Sequence, residues 1–216
     1  MCMEEDTRQR LLDAAEALFA EHGLISTSLR AITTQAGANL AAVHYHFGSK
    51  DALIRAVLMR RLDPLNAERC RRLEALDVSG EAVSVERALA AFISPALDLR
   101  GAGAAGERFT CLLGRVQLEG DEGLRRFMRE RYAPVMERLQ AALTRTLPEL
   151  PAEELRWRLH FTLGVLSFTY ASLAPRVPVT ALDAEDGQWL QEQLIQFLAA
   201  GLRAFSVVAR ASALLY

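Results

Sequence analysis

Apolar residues recur three and four positions apart along almost the whole chain, as in Leu11, Ala15 and Leu18 or Leu155, Leu159, Thr162 and Val165, and strand-like alternation is absent. That spacing puts the apolar side chains on one face of a helix and leaves no sheet face to bury. The chain therefore reads as all-α. With 216 residues, 51% of them hydrophobic, it can bury one large core or join a small domain to a larger one, which excludes disorder as its main state. Cys2, Cys70 and Cys111 are odd in number and lack C-x-x-C spacing. A reducing, cytoplasmic setting is expected, with no disulfide scaffold. The acidic, polar stretch 1–10 is unlike a secretory signal, and Leu159–Pro175, although free of charged side chains, is shorter than the roughly 20 apolar residues a bilayer needs. No membrane partner is expected.

Helix punctuation divides the first 62 residues. Asp6 with Gln9 caps a helix to about residue 22, which Gly23 stops. Thr27 or Ser28 caps a second helix that ends before Gly37, and Asn39 caps a third that ends before Gly48. Ser49 caps a fourth, with Asp51 in its first turn, where the helix dipole favours an acid. Asp63-Pro64 is expected to end this helix and restart another, giving a domain boundary near residue 62. Further helices are expected at 64–76, 85–99, 107–119, 122–147, 152–174 and 184–209. The glycine-rich stretch 100–106 reads as a surface loop.

The second and third helices, joined by Gly37-Ala38-Asn39, form a helix-turn-helix, the arrangement that lays its second helix in the DNA major groove. Ile32, Ala36 and Val43 would hold the pair together from inside. Spacing of this kind is a weak signal by itself, since short helix pairs abound in all-α proteins. The residues are more specific. SLRAITTQAGAN over 28–39 and LAAVHYHFGSKDAL over 40–53 resemble the DNA-binding domain of the tetracycline-repressor (TetR) family of bacterial transcriptional regulators, without a gap from about Thr7 to Leu53. Thr33 departs from that family's usual alanine.

Ser28, Arg30, Asn39, Leu40, Ala41, Ala42, His44, Tyr45 and Lys50 are the candidate DNA-binding residues. Ser28 offers a hydroxyl and nearby amides to a phosphate, or serves only as a helix cap. Arg30 has a guanidinium that matches guanine O6 and N7. On the third helix, Leu40, Ala41 and Ala42 are small or apolar enough to approach thymine methyl groups, so hydrogen-bonded discrimination falls to His44 and Arg30, with Asn39 at the helix start. Tyr45 and Lys50 match the positions at which the family holds the phosphate backbone; core packing is the other role open to Tyr45. His44 and His46 are two residues apart and point in different directions, so they are no metal pair. The net charge is −2, and residues 1–60 carry six cations against seven acids. Specific binding must then come from local placement of cations and from two domains acting together.

Beyond residue 62, the resemblance implies a pocket for a small-molecule effector and a homodimer interface made by the last two helices. Leu155–Leu173 and Trp189–Val208 carry more apolar surface than one core needs, and Leu190, Leu194, Phe197, Leu198, Gly201, Leu202 and Phe205 form a stripe with a notch of small residues. The other reading is a monomer with these helices in its own core. Pocket candidates are Phe92, Phe109, Leu112, Arg115, Val116, Phe127, Tyr132, Trp157, Phe161 and Phe168, each of which also suits ordinary core. The segments 39–50 and LRWRLHFTLG at 155–164 resemble a branch of the family that includes fatty-acid-responsive repressors. The effector that this second resemblance implies is a long-chain acyl compound.

The expectation is an all-α regulator with a helix-turn-helix domain at 1–62 and a ligand-binding and dimerisation domain at 63–216. It would bind a palindromic double-stranded operator as a homodimer, repress by family default, and need no cofactor or metal. A helical adaptor has no reason to carry Arg30, His44, Tyr45 and Lys50 at these places. A helical enzyme would need a metal set, phosphate loop or nucleophile elbow, and the sequence has none.

Overall fold

The computed structural model describes residues 2–78, 83–172 and 187–206. Among them are nine helices and no strand: α1 (Cys2–His22), α2 (Leu29–Ala36), α3 (Leu40–Phe47), α4 (Lys50–Val78), α5 (Val85–Gly101), α6 (Ala104–Glu119), α7 (Glu122–Thr146), α8 (Ala152–Ser172) and α9 (Gly187–Arg203). The chain packs as two compact units. One joins the chain up to Leu65 with Leu99–Arg131 and a segment from Ser167; the other joins Asn66–Asp98 and Tyr132–Leu166 with α9.

In the first unit α1 packs on α2, α3 and α6. Leu11, Ala15 and Phe19 of α1, Ile32 of α2, Val43 of α3 and Leu53, Val57 and Leu58 of α4 are all fully buried. At about 1.5–3 kcal/mol for each large side chain removed from water, these residues hold the short helices α2 and α3 in place. A buried ion cluster adds direction: the Glu16 carboxylate, 1% exposed, accepts from Arg60 at 2.5 Å and Arg61 at 3.0 Å, tying α1 to α4.

In the second unit Leu73, Leu89, Phe92, Ile93, Leu139, Leu143 and Leu155 are buried together with Leu194 and Leu198 of α9. Arg158 of α8 donates to the Leu202 carbonyl at 2.5 Å and to Glu154 at 2.6 Å. Arg203 of α9 pairs with Glu86 in the first turn of α5. Hydrogen bonds from Arg203 hold the Glu86 carboxyl down at about 2.

Three local expectations are corrected. α4 runs through Pro64 without a break. Proline lacks only the N–H that would serve the Arg60 carbonyl, and Leu62 and Leu65 on either side of it are buried and anchor the helix there. The glycine-rich stretch 100–106 is not a loop, because only Ala102 and Gly103 separate α5 from α6. Gly106 serves close approach: a Cβ there would stand 1.7 Å from the Leu99 carbonyl oxygen, so α6 can cross α5 at this point only without a side chain. α9 ends at Arg203 and residues 204–206 are not helical, whereas the spacing predicts helix to 209. Leu173 and Val208, expected at the ends of the interface helices, lie outside the described residues.

Candidate nucleic-acid interface

Local chemistry explains how α3 is presented. The Ala31 amide donates to Ser28 Oγ at 3.1 Å, which starts α2. Gly37 ends it in the left-handed region at φ 59°, and the Ala38 amide returns to the Thr33 carbonyl at 2.9 Å. The turn needs a residue without a Cβ at this point. Asn39 Oδ1 then accepts from the Ala42 amide at 2.9 Å and starts α3. Thr33, the departure from the family pattern, is buried, and its hydroxyl donates to the Arg30 carbonyl at 3.0 Å, so the added oxygen is satisfied. Arg10 of α1 braces the turn from outside by donating to the Ala36 carbonyl at 2.8 Å and the Gly37 carbonyl at 3.3 Å. Sequence reasoning missed Arg10, since a lone basic residue beside Leu11 and Leu12 looks like solvated surface.

Ile32, Ala36 and Val43 are buried on the inner side of the pair. On the outer side of α3, Ala41 and His44 are exposed, Ala42 is half-buried, Leu40 is 41% exposed and Tyr45 is 74% exposed. Tyr45 is thus not a core residue; its ring stands edge-on to His46 at 5.0 Å. His44 Nδ1 lies 3.1 Å from the Gly48 carbonyl oxygen. A carbonyl only accepts, so Nδ1 carries the hydrogen, and in the neutral ring Nε2 is left as an acceptor. Ser28 and Asn39 are exposed as well as capping, and Arg30 is exposed, its guanidinium without a hydrogen-bonding or ionic partner among the described residues. Among those residues no group of His, Cys, Asp and Glu could hold a metal ion.

Lys50, half-buried, donates to the Ile25 carbonyl at 3.4 Å in a shallow depression lined also by Leu24, Asp51, Ile54, Arg55 and Glu119. Glu119 was invisible from sequence. Its carboxylate accepts from the Leu24 amide at 2.8 Å and from Arg115 at 3.0 Å, while Arg115 donates to the Glu21 carbonyl at 3.4 Å. Arg115, expected in a ligand pocket, is therefore engaged at the end of α1. A contact spanning 95 residues of chain leaves no local signature.

The other pocket candidates divide between the units. Phe109, Leu112 and Val116 are fully buried on α6, Phe127 is half-buried on α7, and Phe168 is 51% exposed; these belong to the first unit. Phe92, Tyr132, Trp157 and Phe161 belong to the second, where Trp157 and Phe161 are 56% and 60% exposed. Phe92 and Tyr132 come together against Arg69. The dimer stripe also divides: Leu190, Leu194, Leu198 and Leu202 are buried, whereas Phe197, Gly201 and Phe205 are exposed.

Two short helices fixed by caps, with an outward face of small, aromatic and hydrogen-bonding residues flanked by Arg30 and Lys50, define a helix-turn-helix DNA-binding protein. Residues 11–57 match the model for bacterial regulatory proteins of the tetR family, and residues 90–201 match the tetracyclin repressor-like C-terminal domain. The chain belongs to the tetracycline-repressor family of transcriptional regulators. It is 39% identical over 64 residues to the HTH-type transcriptional regulator SrpR of Pseudomonas putida, a match covering 30% of either chain. The similarity to this curated relative thus spans less than a third of its length.

Solved structures of the same fold include the fatty acid degradation regulator FadR of Bacillus halodurans, with a TM-score of 0.65 and 18% identity over 91% of this chain and 96% of that one. Another is FadR of Bacillus subtilis in complex with stearoyl-CoA, with a TM-score of 0.61 and 19% identity over 89% and 98%. Among the described residues no helix is long and apolar enough to cross a membrane.

Proposed function

We propose that the chain is a cytoplasmic repressor that binds a palindromic operator as a homodimer and is released from it by a small amphipathic effector. Residues 1–62 carry DNA recognition, and residues 63–216 carry effector binding and dimerisation. The observation that carries the reading is the outward face of α3, where Tyr45 is 74% exposed although it is a large aromatic residue that a free-standing surface would rather bury. Arg30 and the Nε2 acceptor of His44 read bases, Leu40, Ala41 and Ala42 meet the groove floor, and Ser28, Tyr45 and Lys50 hold phosphates. The second copy is proposed to cover the exposed aromatic residues Trp157 and Phe161 of α8, Phe197 of α9 and Phe205 just beyond it. Two-fold symmetry then demands an inverted repeat.

The fold shared with a regulator crystallised with stearoyl-CoA supports an acyl compound as effector. An effector that favours one arrangement of the helices beyond residue 62 would move the two recognition helices off the spacing of about 34 Å that successive major grooves require. Selection of duplexes from a random pool tests the first part: inverted repeats are expected, and recovery of only asymmetric half-sites bound by monomer overturns it. Titration of acyl compounds with and without the selected duplex tests the second. Linkage requires that a ligand which weakens DNA binding tenfold be weakened tenfold by DNA, and equal ligand affinity in both titrations refutes the effector role.

A further inference from the structure

Among the described residues, the second unit buries a cation with no anion beside it. Arg69 of α4 is 1% exposed, the largest of the fully buried side chains. Its Nε donates to the Phe92 carbonyl at 2.8 Å and its Nη1 to Asn66 Oδ1 at 3.2 Å, both neutral acceptors. The guanidinium carbon stands 4.4 Å from the centre of the Phe92 ring and 5.6 Å from that of Tyr132. Among the described residues no carboxylate lies within ion-pair distance of it. Of the five N–H donors of a guanidinium, two have acceptors, and the other three meet none among the described residues.

The surroundings make this pattern specific. Carboxylates of the same unit are taken by arginines nearer the surface: Glu68 by exposed Arg71 and half-buried Arg72, Asp98 by Arg72 and Glu74 by exposed Arg138. Among the described residues, counter-ions thus stand at the surface, where they contribute little, and none stands beside Arg69, where an unpaired charge is most unfavourable. Aromatic faces offset part of that cost. A purely local role is not evident either. Pro95 removes the helical donor of the Ala91 carbonyl, not that of Phe92, so the bond from Arg69 does not repair the interruption in α5.

We propose that Arg69 is the recognition group for an anionic headgroup, a carboxylate or phosphate ester on an apolar tail, with the free guanidinium N–H groups taking the acid and Phe92 and Tyr132 fixing the plane of the fork. Guanidinium geometry suits such an anion and gives a neutral head nothing. The assignment rests on the effector reading above and narrows it from amphipathic compounds in general to acids.

The test uses the full chain with dodecanoate, dodecyl phosphate and 1-dodecanol, titrated by calorimetry. At least one acid should bind about tenfold or more tighter than the alcohol, and the tighter of the two acids identifies the headgroup. Arg69→Met should abolish the preference while alcohol binding stays within about threefold, and Arg69→Lys should keep part of it. Because methionine removes an unpaired buried charge, Arg69→Met should melt no lower than the wild type. Equal binding of acid and alcohol by the wild type, or no binding of any of the three, overturns the assignment even if the variants do not fold. A preference that survives in Arg69→Met assigns Arg69 to structure alone and overturns it as well. Retention of the selected duplex is measured in parallel: acid binding that needs Arg69 without release of the duplex refutes the effector reading and leaves the anion site standing.

Discussion

Asn39 caps α3 in the structure and is proposed to face DNA, and three substitutions separate the two roles. Its Oδ1 accepts from the Ala42 amide at 2.9 Å, and the residue is exposed at the start of an eight-residue helix, α3. Removing an N-cap acceptor costs about 1 kcal/mol, within a range of roughly 0.5–2. So short a helix has few internal bonds to absorb the loss. In a chain of this size 1 kcal/mol lowers the melting temperature by about 2–4 °C. Asn39→Ala should show that drop, and Asn39→Ser, which keeps an acceptor, should show little of it. Asn39→Asp keeps the acceptor and adds a negative charge at the positive end of α3, worth roughly 0.3–1 kcal/mol in its favour. It should melt at or above the wild type. If the start of α3 faces phosphates and base edges, however, the same charge must weaken operator binding. Thermal melts by circular dichroism and fluorescence anisotropy on a selected duplex measure both quantities. An Asn39→Ala protein that melts with the wild type refutes the capping argument, and an Asn39→Asp protein that binds the operator as tightly as the wild type refutes the placement of α3 on DNA.

Gly106→Ala should destabilise by at least about 1–3 kcal/mol in urea unfolding, because its methyl group meets backbone that cannot rotate away. Gly123→Ala, which meets only side-chain tips at 3.4 and 3.6 Å, should be neutral or stabilising; equal effects would refute the close approach of α5 and α6. Glu86 is held at about 2 by Arg203 against an ordinary 4.5, so its contribution is present above 4.5 and lost as pH falls toward 2. Melting temperature should therefore fall less over that window in Glu86→Gln than in the wild type. Lys50→Ala should weaken binding to every duplex and reduce the salt slope by about one, while Arg30→Ala should cost about 1–3 kcal/mol chiefly at one base pair, as binding to single-substituted duplexes in a salt series would show. With Nδ1 committed to Gly48, the neutral His44 can only accept, so His44→Ala should relax preference at a base that offers an N–H, cytosine N4 or adenine N6. Relaxation at a guanine contact instead would show that the ring reads in the other tautomer.

What was legible in the sequence was local. Ser28, Gly37, Asn39 and Gly48 punctuate α2 and α3 within a few residues of the groups they serve, and the structure has those helices within a residue of the expected bounds. The same local rules misplace a break at Pro64 and a loop at 100–106, because burial of Leu62 and Leu65 and the crossing of α5 by α6 are tertiary facts that propensity does not carry. Spacing marks Leu190, Leu194, Leu198 and Leu202 as one apolar stripe with Phe197, Gly201 and Phe205. It does not say that the leucines are buried while the aromatics stay exposed. Arg69 had a signal that went unread: it lies four residues from Leu65 and from Leu73, on the buried face of α4, where a charge has no ordinary reason to be.

The Glu119 carboxylate on the Leu24 amide bears on how portable the DNA-reading part is. A fragment cut at residue 62 would keep every side chain proposed to meet the operator, yet it would leave that amide uncapped and strip away α6, against which α1 packs. Anyone grafting this reader onto a foreign sensor would have to carry Leu99–Arg131 along with it, or rebuild the wall that those residues supply. The stretch that reads DNA and the stretch that folds as a body are different lengths of chain, and a chimera joined at the shorter one would be expected to aggregate before it ever met an operator.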